Sequence, residues 1–254
     1  MEFVDVARSG PVLVITLNDP RRRNPLSLQL REELLATVQS ARDDDGVRAI
    51  VLTGAGGFFC AGGDIASMSS ERPAGVYRLH LLNQVIEAVL TVPLPVVAAV
   101  EGGAYGAGLS LMAACDHVVA ADDARLCSSF GAIGLATDGG LSWSLPRRVG
   151  HGRAAEIIMF GEVVDAARAE AIGLVERVVP SGTALESAIE RANLLARRSR
   201  RSLAANKAAL GIDRDALRLV FDEEMRHQLE LLAGADFAEG RAAFAERRTP
   251  RFEQ

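Results

Sequence analysis

Aromatic residues are scarce in this chain: Phe, Tyr and Trp make up 5% of 254 residues, beside 3 cysteines and 4 histidines. Cys60, Cys115 and Cys127 are an odd set without paired spacing, which argues against a disulfide framework and for a reducing compartment. His80, His117, His151 and His227 show no metal-ligand spacing and sit in no nucleophile motif, so no metal site is expected. Positive charge is not in excess either. Against 28 Lys and Arg stand 33 Asp and Glu, a net −5, which argues against electrostatically driven nucleic-acid binding. The basic runs Arg21-Arg22-Arg23 and Arg197-Arg198-Ser199-Arg200-Arg201 read as solvated helix ends or loop surface. A long hydrophobic run is missing too. The most apolar stretch, residues 94–121, is broken by Glu101, several glycines and Asp116, so no membrane span is expected. Residues 1–6 carry no basic region followed by an apolar stretch; no signal peptide is expected, and the cytoplasm is the expected location.

What remains is an ordinary globular composition, 49% hydrophobic and 24% charged, in one large domain or a domain with an appendage. Residues 3–7 and 12–17 read as a hairpin around Ser9-Gly10-Pro11. Leu26-Ser27 opens a helix with Leu30, Leu34, Leu35 and Val38 on one face, ended by Asp43-Asp44-Asp45-Gly46. A strand is expected over 47–53 and a helix over 74–91 with Val76, Leu79, Leu82, Val85, Ile86 and Val89 apolar. Then come a buried strand before Glu101, a short helix over 107–114 and a strand over 117–121. This alternation predicts a layered α/β core. Beyond Gly139, apart from a strand at 175–179, the pattern is helical: 141–147, 152–160, 184–198, 203–210, 214–232 and 236–246. The last two carry apolar faces (Leu217, Val220, Phe221, Met225, Leu229, Leu232; Phe237, Ala242, Phe244) that must pack on the core or on another subunit. The expected division is a core over 1–195 and a helical region over 196–254.

Two glycine-rich segments stand out, Phe59-Cys60-Ala61-Gly62-Gly63-Asp64 and Gly106-Ala107-Gly108. Each follows a β-type run and leads toward helix-forming sequence. Glycine permits close backbone approach, and a helix N-terminus leaves outward-pointing N–H groups. Two such termini face to face would form an oxyanion hole of main-chain amides, suited to a thioester enolate.

With Asn18-Asp19-Pro20, Arg23-Asn24-Pro25-Leu26-Ser27, Pro95-Val96-Val97-Ala98-Ala99-Val100-Glu101-Gly102, Cys115-Asp116 and the stretch from Phe237-Ala238-Glu239-Gly240 to Arg247-Arg248, these segments resemble the enoyl-CoA hydratase/isomerase (crotonase) superfamily over essentially the whole chain. The resemblance implies a spiral of ββα units, a C-terminal helical region used in trimer formation, and a homotrimer or dimer of trimers. It implies an acyl-CoA thioester as substrate, with no cofactor apart from the coenzyme A of the substrate. By position, the thioester oxygen would be held by the N–H groups of Gly63 and Ala107. The latter, at a helix N-terminus, would add roughly half a positive charge. Arg23, Arg247 and Arg248 are candidates for contact with coenzyme A, and Ala61, Asp64, Phe130 and Leu135 for lining the site; Asp64 also reads as a residue that caps or orders its loop.

The acids and bases around such a hole choose the reaction. The two glutamates of hydratases in this family fall here on Ser110 and Phe130, and neither is a base. Asp138, in Gly134-Leu135-Ala136-Thr137-Asp138-Gly139-Gly140, falls where family isomerases and dehalogenases carry a functional aspartate, and the stretch from Gly131 to Arg147 is most similar to phenylacetate-pathway-type isomerases. A single carboxylate suits a proton shift through a dienolate, and partial burial beside Phe130 and Leu135 should raise its pKa. The plain alternative is that Asp138 is a helix N-cap. Ser110 is expected to bond back to its own helix, His80 to pack on its helix, and Cys60 and Cys127 to be packing residues. The expected activity is double-bond isomerisation. Hydration, then dehalogenation or hydrolysis, then a non-catalytic CoA- or RNA-binding role, are the rivals.

Overall fold

The computed structural model describes residues 1–69, 71–210 and 213–252. A six-stranded sheet is ordered β1 (Val4–Ser9), β2 (Val12–Leu17), β3 (Ala49–Gly54), β4 (Val96–Val100), β6 (His117–Ala121) and β9 (Arg177–Val179). The β1–β2 hairpin is antiparallel and every other neighbour pair is parallel. A smaller sheet holds β5 (Gly103–Tyr105), β7 (Arg125–Cys127) and β8 (Val164–Asp165).

The chain steps between these layers in repeating units. It passes from β4 through β5 into α3 (Ala107–Ala113), and from β6 through β7 toward α4 (Leu141–Val149). The first two turns are abbreviated: Leu26 pairs with Gly63 and Cys60 with Ala104 in single-residue bridges. These bridges stand where a second strand would lie between β2 and α1 (Leu28–Asp43), and between β3 and α2 (Arg72–Thr91). This is the expected spiral of ββα units.

Strand alternation sorts the large sheet into two faces. Leu13, Ile15, Ile50, Leu52, Val96, Ala98, Val118 and Ala120 join the main core. Val12, Val14, Ala49, Val51, Val97, Ala99 and Val119 meet Ala184, Ala188 and Ala192 of α7 (Ala184–Ala196). Alanines at i, i+4 and i+8 let that helix sit close to the sheet. The main core is rich in leucine and isoleucine, each contributing roughly 1.5–3 kcal/mol when fully buried. Ser27 caps α1 by accepting from the Leu30 N–H at 3.2 Å, so this helix starts where its sequence signal predicts.

Several expectations are corrected. Val76 is exposed on α2, whereas Leu79, Leu82, Val85, Ile86 and Val89 are buried. The last two helices, α9 (Arg214–Leu232) and α10 (Ala235–Glu246), pack on the core of the same chain through Leu217, Phe221, Leu232 and Phe237. Phe244 is exposed. Between them and α7 lies α8 (Arg200–Ala209). The region after Gly139 is not purely helical before residue 175, since β8 closes the small sheet ahead of α6 (Ala166–Ala171), and α5 (His151–Phe160) precedes both. Residues 211, 212, 253 and 254 of the expected helical region lie outside the described residues. Among the described residues no helix is long and apolar enough to cross a membrane.

Candidate active site

The two glycine-rich segments lie side by side. The Phe59 N–H donates to the Glu101 carbonyl at 2.9 Å, Cys60 N–H to Gly103 at 3.2 Å, and Tyr105 N–H to Cys60 at 3.0 Å. On the other flank Leu26 N–H donates to Gly62 at 2.7 Å and Ala61 N–H to Arg23 at 2.9 Å. The approach is tight enough to require glycine. A Cβ on Gly62, at φ +100°, would stand 2.6 Å from the Tyr105 carbonyl oxygen and 3.6 Å from the Ala107 nitrogen. One on Gly108 would stand 2.6 Å from the Cys60 carbonyl oxygen. Ala107 is the first residue of α3, after Gly106 at φ +49°. Neither the Gly63 nor the Ala107 N–H donates a hydrogen bond among the described residues. One expectation changes here: Gly63 does not open a helix. A three-residue 3-10 turn, Ile65–Ser67, follows it, and α2 begins only at Arg72.

Asp138 is buried, 4% exposed. Its Oδ2 accepts from Gln228 Nε2 at 3.1 Å, and its Oδ1 is buried without a partner. The carboxylate caps no helix. The N-terminus of α4 is served instead by Glu224 of α9, which accepts from the Gly140 N–H at 2.7 Å and from the Ser142 N–H and hydroxyl at 3.1 and 2.6 Å. Ser110 does not simply bond back to its own helix. Its hydroxyl donates to the Asp138 carbonyl at 2.8 Å, tying α3 to the Asp138 loop, with only a longer contact of 3.4 Å to Gly106. Burial raises the Asp138 pKa, while the charges of Arg78 and Arg31 and the Gln228 hydrogen bond pull it back. The surroundings are therefore charged as well as apolar, which the expectation of burial beside Phe130 and Leu135 left out.

The remaining candidates are spread around this centre. Phe130 is buried beside Gly106, where an added Cβ would meet its ring at 3.8 Å, and Leu135 is buried. The Asp64 side chain caps no helix; its carboxylate accepts from Arg22 Nη1 at 3.0 Å. Arg23 is exposed, with its guanidinium 5.3 Å from the centroid of the Phe58 ring. Ala61 is half-buried, with its N–H committed to Arg23. Arg248 is held by Glu239 and Glu246, and Arg247 ends α10 in a left-handed conformation. His80 is exposed rather than packed. Cys60 is wholly buried, its thiol pushed up to about 12 by burial, as a packing residue would be.

Four polar residues near Asp138 escaped the sequence reading: Arg31, Arg78, Glu224 and Gln228. Arg31 is 0% exposed and donates Nη1 to the Arg78 carbonyl at 2.6 Å. Burial and the positive charge of Arg78 push its pKa down to about 9. Arg78 lies beside the paired loops, since a Cβ on Gly63 would stand 3.5 Å from its Nη1. Glu224 is pushed up to about 7, by burial and less strongly by the charge of Asp138. Each of the four interrupts the apolar stripe of its helix, and that was the available signal.

Two free main-chain amides, a buried carboxylate and buried apolar side chains thus make up the candidate site. Comparison with known proteins gives the family. Residues 7–254 match the family model described as enoyl-CoA hydratase/isomerase. The chain is 40% identical over 250 residues to a probable enoyl-CoA hydratase of Rhodobacter capsulatus, covering 96% of this chain and 95% of that one. It is 32% identical to the 1,2-epoxyphenylacetyl-CoA isomerase of Escherichia coli, covering 99% and 98%. A crystal structure of an enoyl-CoA hydratase/isomerase from Pseudoalteromonas atlantica T6c superposes with a TM-score of 0.88 at 30% identity, covering 99% of this chain and 100% of that one. The chain belongs to the enoyl-CoA hydratase/isomerase (crotonase) family and is an acyl-CoA enzyme.

Proposed function

We propose that this enzyme is an enoyl-CoA double-bond isomerase in which Asp138 moves the proton. The observation that carries the reading is one buried carboxylate, held by Gln228 while Ser110 holds the main chain of the same residue close to the paired loops; the family resemblance puts Ser110 and Phe130, neither of them a base, where hydratases carry their glutamates.

In this reading the thioester carbonyl oxygen sits between the N–H groups of Gly63 and Ala107. The ionised Asp138 removes a proton from the carbon chain, the electrons move onto the carbonyl oxygen, and the resulting dienolate is held by the two amides. Asp138 then returns the proton to another carbon, so one group serves as base and then as acid. Each amide is fixed before the reaction begins, and losing one such donor typically costs on the order of 100- to 1000-fold in rate. A carboxylate with a raised pKa is the stronger base, provided the pH keeps it ionised.

Hydration would need a second group to handle the proton of water. Glu224 is a further carboxylate that feels the charge of Asp138, but Gly140 and Ser142 already occupy both of its oxygens. Deuterated water separates the readings. With 2-enoyl- and 3-enoyl-CoA substrates, isomerisation places deuterium in a shifted alkene, and Asp138→Asn loses at least about 1000-fold in rate while acyl-CoA affinity stays within a few-fold. Efficient formation of 3-hydroxyacyl-CoA, or an active Asp138→Asn variant, would overturn the assignment. Ring hydrolysis products would indicate dehalogenase- or hydrolase-type chemistry. RNA binding that persists at physiological salt would favour a binding role.

A further inference from the structure

The mechanism above uses Asp138 and two amides, yet two buried guanidinium groups stand beside them. Arg31 comes from α1 and Arg78 from α2, and the bond from Arg31 Nη1 to the Arg78 carbonyl holds them together. Among the described residues Arg31 Nε and Nη2 and Arg78 Nε and Nη2 are buried without a hydrogen-bond partner. A buried guanidinium is costly unless it is paired, and two side by side repel each other.

The carboxylates of the described residues do not resolve this. Asp138 supplies one negative charge against two positive ones, and its Oδ2 is turned to Gln228. Glu224 is committed to the start of α4, and Asp64, whose charge acts on both arginines, gives its hydrogen bond to Arg22. Four buried guanidinium nitrogens are left without an acceptor among the described residues. We propose that a carboxylate of the substrate supplies one: Arg31 and Arg78 form a carboxylate-binding site beside the paired loops, and the acyl group is that of a CoA monothioester of a short dicarboxylic acid.

Location and chemistry both favour this occupant. Arg78 Nη1 and Met68 Cε would lie 3.5 and 2.7 Å from a Cβ on Gly63, so the guanidinium borders the amide that receives the thioester oxygen. The placement of that oxygen rests on the reading of the site given above. Coenzyme A carries its phosphates far along the pantetheine arm, so they do not reach a group beside the thioester. A carboxylate a few carbons from the carbonyl does. The planar fork of a guanidinium matches a carboxylate with two parallel hydrogen bonds, which also selects against an apolar chain of equal length.

The enolate is the other anion the cations could serve, and ground-state binding separates the two. Glutaryl-CoA and valeryl-CoA have five-carbon acyl chains and no double bond to shift, so calorimetric titration of the full chain reads binding without turnover. The expected result is glutaryl-CoA bound at least about tenfold more tightly than valeryl-CoA. That ratio should fall to about one or below in Arg78→Met and Arg31→Met, with partial recovery in Arg78→Lys. Melting of the unliganded Arg78→Met variant should be unchanged or higher, because an unpaired buried charge is removed. Equal or tighter binding of valeryl-CoA by the wild type overturns the proposal, even if Arg78→Met lowers the rate. If the methionine variants fail to fold, the wild-type ratio and Arg78→Lys still decide. A glutaryl preference without any deuterium-labelled shifted alkene would sink the isomerase reading and leave this site standing.

Discussion

Gln228 of α9 donates its side-chain amide both to Asp138 Oδ2, at 3.1 Å, and to the carbonyl of Ala136, at 2.8 Å. The first of these bonds joins residues 90 apart in sequence. One NH2 group thus fixes the carboxylate and the loop that carries it. A division of the chain at residue 195 would cut through this contact, so the C-terminal helices build the candidate site as well as cover the core.

Gln228 should act as a positioning residue. Gln228→Leu removes a donor to the charged form of Asp138, so the carboxylate should titrate higher. A hydrogen bond to a charged group is worth about 1.5–3 kcal/mol, or roughly one to two pH units. The acidic limb of the kcat/KM profile should therefore move upward by about one unit or more, with a lower rate at pH 6. Gln228→Glu, which places a second carboxylate against Asp138, should move it further. A purely structural role would lower stability and leave the limb where it is.

Glu224 should leave its signature in stability against pH. Its pKa is about 7 in the folded chain against an ordinary 4.5. The folded state therefore binds the proton more tightly than the unfolded state, and stability falls as pH rises from about 4.5 to about 7. The loss attributable to this group is roughly 3 kcal/mol. Relative to Glu224→Gln, the wild type should thus lose stability over that window, measured by chemical denaturation at pH 5 and pH 8. Asp138, also raised, contributes with the same sign in both proteins. Parallel curves for the two proteins would show that Glu224 titrates normally.

The parts legible in the sequence were those with long periodic signals or glycine constraints. The stripe Leu30, Leu34 and Val38 and the cap Ser27 placed α1 to within a residue. The strands β5, β7 and β8 span three, three and two residues. That is too short for alternation to register, and they exist because neighbouring backbone pairs with them. The candidate site divided in the same way. Gly62, Gly63, Gly106 and Gly108 announce a close backbone approach, and Asp138 stands in a loop rich in turn residues. On α9, however, the buried stripe runs Leu217, Phe221, Glu224, Gln228 and Leu232. Reading only its apolar members predicted a packing face and missed the two residues that hold α4 and Asp138. Arg31 and Arg78 were hidden likewise, one in a leucine stripe and the other beside Leu79.

The pairing of the two glycine-rich segments gives the sharpest geometric prediction. A methyl group at Gly108 would stand 2.6, 2.8 and 2.9 Å from the carbonyl oxygen, Cβ and Sγ of Cys60. All three atoms belong to a rigid neighbourhood, because the Cys60 main chain is held by Gly103 and Tyr105 and its side chain is fully buried. Gly108→Ala must therefore push α3 away from the loop that carries Gly63. The helix itself gains from alanine by about 1 kcal/mol, whereas overpacking of a tight contact costs about 1–3 kcal/mol. The net effect on stability should be small or moderately unfavourable, and the effect on rate large, since both amides must meet one oxygen. Gly131→Ala is the control: nothing lies within 4 Å of its added Cβ and its φ is not positive. The expected outcome is a fall in kcat of at least about 100-fold for Gly108→Ala and less than about twofold for Gly131→Ala. Comparable kcat values for the two would mean that Gly63 and Ala107 do not act on the same atom.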